Sequence, residues 1–106
     1  MNSAPFSNGR RRYRIELSGV VRDQLIRCQQ RATIQGRGDE FMAAMHQILS
    51  RLQTNPGSFG EPVFRLQSLR MTVRSAVVRP VFIDFGVWEG GSFVFIRSIK
   101  LLGAPR

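Results

Sequence analysis

The chain is poor in the residues that most enzymes build their chemistry from. Cysteine occurs once, as Cys28, so no disulfide can close within the chain, which suits a reducing compartment. Histidine occurs once, as His46, and one Cys with one His cannot make a zinc site of the usual kind. Tyrosine occurs once, as Tyr13, and lysine once, as Lys100. Acidic residues number 7, and Asp84 and Glu61 are too sparse to supply the paired carboxylates of a hydrolase. No glycine pattern of a phosphate loop or dinucleotide site is present. No apolar run reaches membrane-spanning length, and the polar, basic N-terminus lacks the apolar core of a signal peptide. The expectation is a cytoplasmic protein with no cofactor, no metal and no membrane partner.

Arginine is abundant. The 16 Lys+Arg residues outweigh the acids to give a formal charge of +9, and all but Lys100 are arginine, whose planar fork suits phosphate and carboxylate. Such a charge fits a nucleic acid, an anionic membrane or an acidic protein. It also fits a composition that uses arginine wherever a soluble cation will do. The 106 residues suffice for one domain, and 42% hydrophobic with 9% aromatic residues is enough for a packed core.

The pattern along the chain divides it into a basic tail (1–12), one α+β domain (13–102) and a short end (103–106). In "RYRIELS", Tyr13, Ile15 and Leu17 alternate with Arg12, Arg14 and Glu16, which predicts a half-buried strand. Ser18 is placed to cap a helix whose stripe is Val21, Leu25, Cys28 and Ala32, with Arg22, Arg27 and Arg31 pointing elsewhere. Cys28 on that stripe reads as a small core residue. "QGRGD" interrupts, with Asp39 as N-cap of a second helix carrying Phe41, Met45, Ile48 and Leu52, reinforced by Met42 and Leu49. His46 borders its apolar side. Two helices about a glycine turn predict an antiparallel hairpin.

Asn55-Pro56 ends that helix. The island "NPGSFGEPVFRL" then reverses the chain through Gly57 and Gly60 and releases it into a strand at Val63. Beyond it the chain is rich in Val, Ile and Phe. A two-residue turn at Gly90-Gly91 would set Phe85 opposite Ile96 and Asp84 opposite Arg97. One face of this hairpin would carry Val81, Ile83, Phe85, Val87, Val94 and Ile96 towards the helices. The other would carry Phe82, Asp84, Trp88, Phe93, Phe95, Arg97 and Ile99. The predicted architecture is a strand, a helical hairpin, then three or four antiparallel strands.

The helix ending in Leu52-Gln53-Thr54-Asn55-Pro56, then Phe59-Gly60-Glu61-Pro62 with Leu66, the Arg79-to-Phe85 strand and Phe93 to Lys100 together resemble the RelE/ParE family of bacterial toxins. The agreement in element order runs from about Tyr13 to Leu102. The resemblance implies a four-stranded antiparallel sheet behind a helical hairpin, and an acidic or amphipathic antitoxin that wraps the toxin. It implies action on messenger RNA at the ribosome or on DNA gyrase. In the first case the enzyme class would be a metal-independent endoribonuclease, which must accept a proton, stabilise extra phosphoryl charge and return a proton to the leaving oxygen.

Family nucleases do this largely with Arg, Lys and Tyr on the sheet. The resemblance nominates Arg79, Arg97 and Lys100 as catalytic residues, with Arg65, Arg70 and Arg74 binding nucleic acid. Counted from Arg74, Arg79 fills the place of the family's strand arginine; counted from Val81, Ile83, Asp84 and Phe85, Pro80 fills it. After the last strand Lys100 or Arg106 stands where the family has a second arginine, and the C-terminal tyrosine of some members is missing. Arg97 has two readings: a cross-strand pair with Asp84, or a phosphate binder seated on Phe95 or Trp88. Two further functions fit the same residues. One is a basic nucleic-acid-binding module without catalysis; the other is an interaction module docking a partner on Phe82, Trp88, Phe93 and Phe95.

Overall fold

The computed structural model describes residues 12–103, so the basic segment through Arg10 and Arg11, and Arg106, lie outside the described residues. The alternating run forms β1, Arg14–Leu17. Tyr13, Ile15 and Leu17 pack against the core, while Arg14 and Glu16 face the other way and meet at 3.3 Å. Ser18 caps α1, Gly19–Ile34: its hydroxyl oxygen accepts from the Val21 N–H at 3.2 Å. Such a cap contributes about 1 kcal/mol. The predicted stripe is the buried one, with Val21 and Ala32 in the core and Leu25 and Cys28 packed against it. Gly36 follows the helix with φ 73°, a left-handed position that glycine fills without strain.

The second helix, α2, spans Gly38–Thr54 and buries Phe41, Ala44, Met45, Ile48 and Leu52. Met42, expected to reinforce this stripe, is exposed. Asp39 is not its N-cap. Arg37 holds that position because its carbonyl already accepts from the Phe41 N–H at 2.9 Å, so Asp39 and Glu40 fall in the first turn. There their charge favours the positive end of the helix dipole.

Asn55 ends α2, and Pro56–Ser58 make a single 3-10 turn. Phe59 is buried against Phe85, ring centroids 5.7 Å apart, and the Arg51 guanidinium lies 4.9 Å from the same ring. Gly60 has φ 72°, and a Cβ there would run into the Ser75 carbonyl oxygen. The island is thus a packed joint as well as a turn. The next strand, β2, is Glu61–Leu66, beginning two residues before the expected Val63, with a bulge between Pro62 and Phe64. Pro62 is tolerated because β2 is an edge strand.

β3 (Met71–Val78), β4 (Val81–Trp88) and β5 (Phe93–Leu101) complete one sheet in the order β1-β5-β4-β3-β2. The α+β class holds, but the sheet has five strands and is mixed. β2 to β5 are antiparallel as expected, and β1 pairs in parallel with β5. The reason lies in the path. The helical hairpin carries the chain from β1 across the sheet to its far edge, and the meander returns to β1's flank, leaving an edge that β1 covers.

The core lies between both helices and one sheet face. Phe41, Ile48 and Leu52 meet Val81, Ile83, Phe85, Val94 and Ile96 there, as the alternation predicted, with Val87 partly buried. Each such side chain contributes about 1.5–3 kcal/mol by leaving water.

The hairpin register is as expected at Phe85↔Ile96 but shifts beyond it to Asp84↔Ser98. Arg97 is the extra residue of a bulge and does not sit opposite Asp84. One inserted residue reverses the alternation, so Ile99 turns into the core, 3% exposed, instead of onto the open face. Gly90 and Gly91 do not adopt left-handed φ. They are needed because the Trp88 indole lies on them: a Cβ at Gly90 would come within 2.5 Å of Cζ2.

Candidate nucleic-acid interface

Among the described residues no helix covers the other face of the sheet. The strands set cations and rings on it alternately. Arg14 of β1 lies 5.6 Å from the centroid of Phe93, Arg97 of β5 lies 5.6 Å from Phe64 of β2, and Lys100 lies 5.8 Å from Phe82. Phe93 also stacks on Phe95 at 6.1 Å and meets Trp88 edge-on at 5.7 Å. Each cation is in range of the negative face of its ring.

The centre of this face is low. Gly86 has no side chain, and Met71 fills the space above it, where a Cβ would strike the Met71 sulfur. Gly86 pairs with Val73, which pairs in turn with Phe64. Val73 belongs to this face and is fully buried, so the face carries a covering layer of its own. From β5 to β2 there are three ladder steps of about 4.8 Å each. Arg97 and Phe64 therefore meet by lying along the face, beside Gly86 and Val73.

Arg97 also approaches Asp84 at 3.8 Å. Both expected readings of this arginine are half met. It pairs with Asp84, loosely, and it sits on a ring, but the ring is Phe64 and not Phe95 or Trp88. An exposed pair at that distance contributes about 0–1 kcal/mol. The Arg97 guanidinium is held in place while staying open to an incoming anion.

The six nominated residues fall in different places. Arg97 and Lys100 share the open face. Arg79 is exposed in the β3–β4 turn, with no side-chain hydrogen bond or ion pair among the described residues. That turn lies at Lys100's end of the sheet, since Phe82 pairs with Lys100 and the Pro80 carbonyl accepts from the Leu102 N–H at 2.7 Å. Arg65 and Arg70 lie at the opposite end, around Glu89. Arg65 grips that carboxylate with two bonds of 2.6 and 2.8 Å, and the Arg70 carbonyl accepts the Glu89 N–H at 2.8 Å. The hydrogen bonds from Arg65 hold the Glu89 carboxyl below its usual range, aided by the charges of Arg65 and Arg70. Arg74 points to the helix side, where it donates to the Phe59 carbonyl at 2.8 Å and the Gly60 carbonyl at 3.0 Å. The structure does not gather these residues into one catalytic set.

Sequence reasoning missed Arg14, Phe64 and Met71. Arg14 was legible as an outward residue of β1, but its neighbour Phe93 follows only from the parallel pairing. Cys28 is half-buried: its thiol pKa is raised by burial, and its Sγ faces the Ile99 carbonyl at 3.7 Å. His46 is an exposed residue of α2. On the helix-free face the carboxylates Glu16 and Asp84 are each engaged by an arginine. Among the described residues no three His, Cys, Asp or Glu side chains gather as a metal site, and no helix is long and apolar enough to cross a membrane.

No protein-family profile, no curated protein and no solved structure matches this chain. Its function is therefore argued from the face itself. That face can neutralise phosphates and stack planar rings. Arginine and lysine stay protonated at neutral pH, so they supply charge stabilisation and no general base.

Proposed function

We propose that this protein binds single-stranded RNA on the helix-free face of its sheet, as a RelE/ParE-like toxin component directed at messenger RNA at the ribosome. The observation that carries the reading is the placing of Arg14, Arg97 and Lys100 each over an aromatic ring on one open surface. Alternating cations and π-faces suit a flexible strand that offers phosphates and unstacked bases together. The chain's +9 charge would draw the strand in. This favours RNA over gyrase as the target.

Capture of RNA is better supported than its cleavage. Arg97 and Lys100 could stabilise charge on a phosphate, but Arg79 stands apart from Arg97 and the carboxylates nearby are occupied. An acidic or amphipathic antitoxin would then act by masking the charged face.

The test is binding of a labelled uridine-rich RNA to the full chain at low and raised salt, with product mapping on the same samples. Binding that weakens steeply with salt supports the reading. Absence of binding even at low salt defeats it, and defined cleavage products would restore the nuclease assignment. Arrest of translation on expression of the chain alone, relieved by an acidic partner, would support the toxin assignment; normal growth would oppose it.

A further inference from the structure

The open face contains one concavity built almost wholly of apolar side chains. Leu69, Met71, Trp88, Phe93 and Phe95 line a groove of about 300 Å³ at the β4–β5 hairpin end. That is the low end of the roughly 300–1,000 Å³ range of small-ligand sites, which suits one planar ring system better than a folded segment. Resting on the RNA-binding reading above, we propose that this groove is a stacking site for a single nucleobase, with Trp88 and Phe95 as its aromatic walls.

Three observations support a base as the occupant. The first is rigidity. One side of the Trp88 indole rests on the backbone of Gly90 and Gly91, within 3.0 Å of a Cβ built at either, and its edge meets Phe93. A ring braced in this way is a preformed wall whose ordering cost is met on folding. The second is charge at the margin. Arg14 is seated over Phe93 with its side chain 70% exposed, and Arg70 lies between the lining residues Leu69 and Met71. A phosphate beside an inserted base would find the Arg14 guanidinium without entering the groove. The third is the chemistry of the lining. It presents no carboxylate, amide or hydroxyl to read a base edge, so the site would accept any base by its π-face. An apolar side chain of a protein partner would gain nothing from the flanking arginines.

Trp88 is the only tryptophan in the chain, so the wall of the groove is also its reporter. The full-length protein would be titrated with a uridine octanucleotide and, separately, with an abasic ribose-phosphate chain of the same length and charge. Anisotropy of the labelled strand reads binding, and Trp88 emission reads occupancy of the groove. The octanucleotide should bind and quench Trp88 saturably, while the abasic chain binds more weakly and leaves the emission unchanged. Phe95→Leu, a change at a partly exposed ring, should lower octanucleotide affinity about tenfold and leave abasic binding as it was.

Equal emission changes with both strands would overturn the inference. So would octanucleotide binding with no emission change, and in that case the RNA-binding reading survives. No binding of either strand at low salt defeats both.

Discussion

Arg97 and Phe64 belong to strands that never touch, yet the guanidinium of one lies 5.6 Å from the ring of the other. Their meeting crosses β4 and β3 beside Gly86 and Val73 and holds a cation at the middle of the open face. Replacing Arg97 by Met keeps the covering stem and removes the charge. Stability should change by less than about 1 kcal/mol, since the pair with Asp84 is partly exposed and long at 3.8 Å. RNA binding should weaken, and the slope of log affinity against log salt should fall by about one. An unchanged slope would remove Arg97 from the interface.

Arg74 should behave in the opposite way. It faces the helices and holds the Phe59 and Gly60 carbonyls. Arg74→Met should cost about 1–3 kcal/mol in urea unfolding, the range for depriving partly buried groups of a charged partner. The salt slope of RNA binding should stay as in the parent. A reduced slope with normal stability would return Arg74 to the binding residues.

Two glycines of the island separate the packing role from the turn role. Gly57→Ala places its Cβ in open space, whereas Gly60→Ala meets the Ser75 carbonyl from a left-handed backbone. The first should stay within about 0.5 kcal/mol of the parent. The second should lose about 2 kcal/mol or more, because an L-residue in that conformation alone costs roughly 1–2. Equal effects in thermal or urea unfolding would contradict the joint described for this segment.

The Arg65–Glu89 contact gives a pH signature. Glu89 titrates below its usual range when folded, so the stabilisation it provides is present above the unfolded carboxylate value and is lost as pH falls through the folded one. The difference in thermal midpoint between the parent and Glu89→Gln should be constant near neutral pH and shrink towards zero as pH falls through and below the usual carboxylate range. A difference that does not vary with pH would place its origin outside this contact. Both side chains of the pair stay partly open to solvent, so the effect is small.

Much of the fold was legible because period and parity are local properties. The alternation of Ile15 and Leu17, the stripe from Val21 to Ala32 and the inward set from Val81 to Ile96 each follow from neighbours in the chain. What escaped depends on distant partners or on one inserted residue. The parallel pairing of β1 with β5 leaves no mark on either strand. The bulge at Arg97 reverses the facing of Ile99 without changing composition. Arg37 is the plainest case. Within RGD it read as part of a turn, yet it donates to the Leu102 and Gly103 carbonyls, both at 2.7 Å. Beside its local contacts to the Gln35 side-chain oxygen at 2.8 Å and the Glu40 carboxylate at 3.7 Å, its distant partners are main-chain oxygens, which any residue would supply, so no pattern announces them. The candidate site was half legible for the same reasons: its aromatic residues and Arg97 were nominated, whereas Arg14 and Phe64 became part of it only through strand order.

The parallel pairing of β1 with β5 has a mechanical consequence. These are the first and last strands of the described chain, side by side and pointing the same way. Tension drawing the two ends apart would slide β1 lengthwise along β5. The ladder between them would then be loaded in shear, all its bonds at once, rather than unzipped one by one. A sheet closed by an antiparallel terminal pair would peel under the same pull. This short, basic domain should therefore resist a pull applied between its two ends beyond what its size alone would indicate.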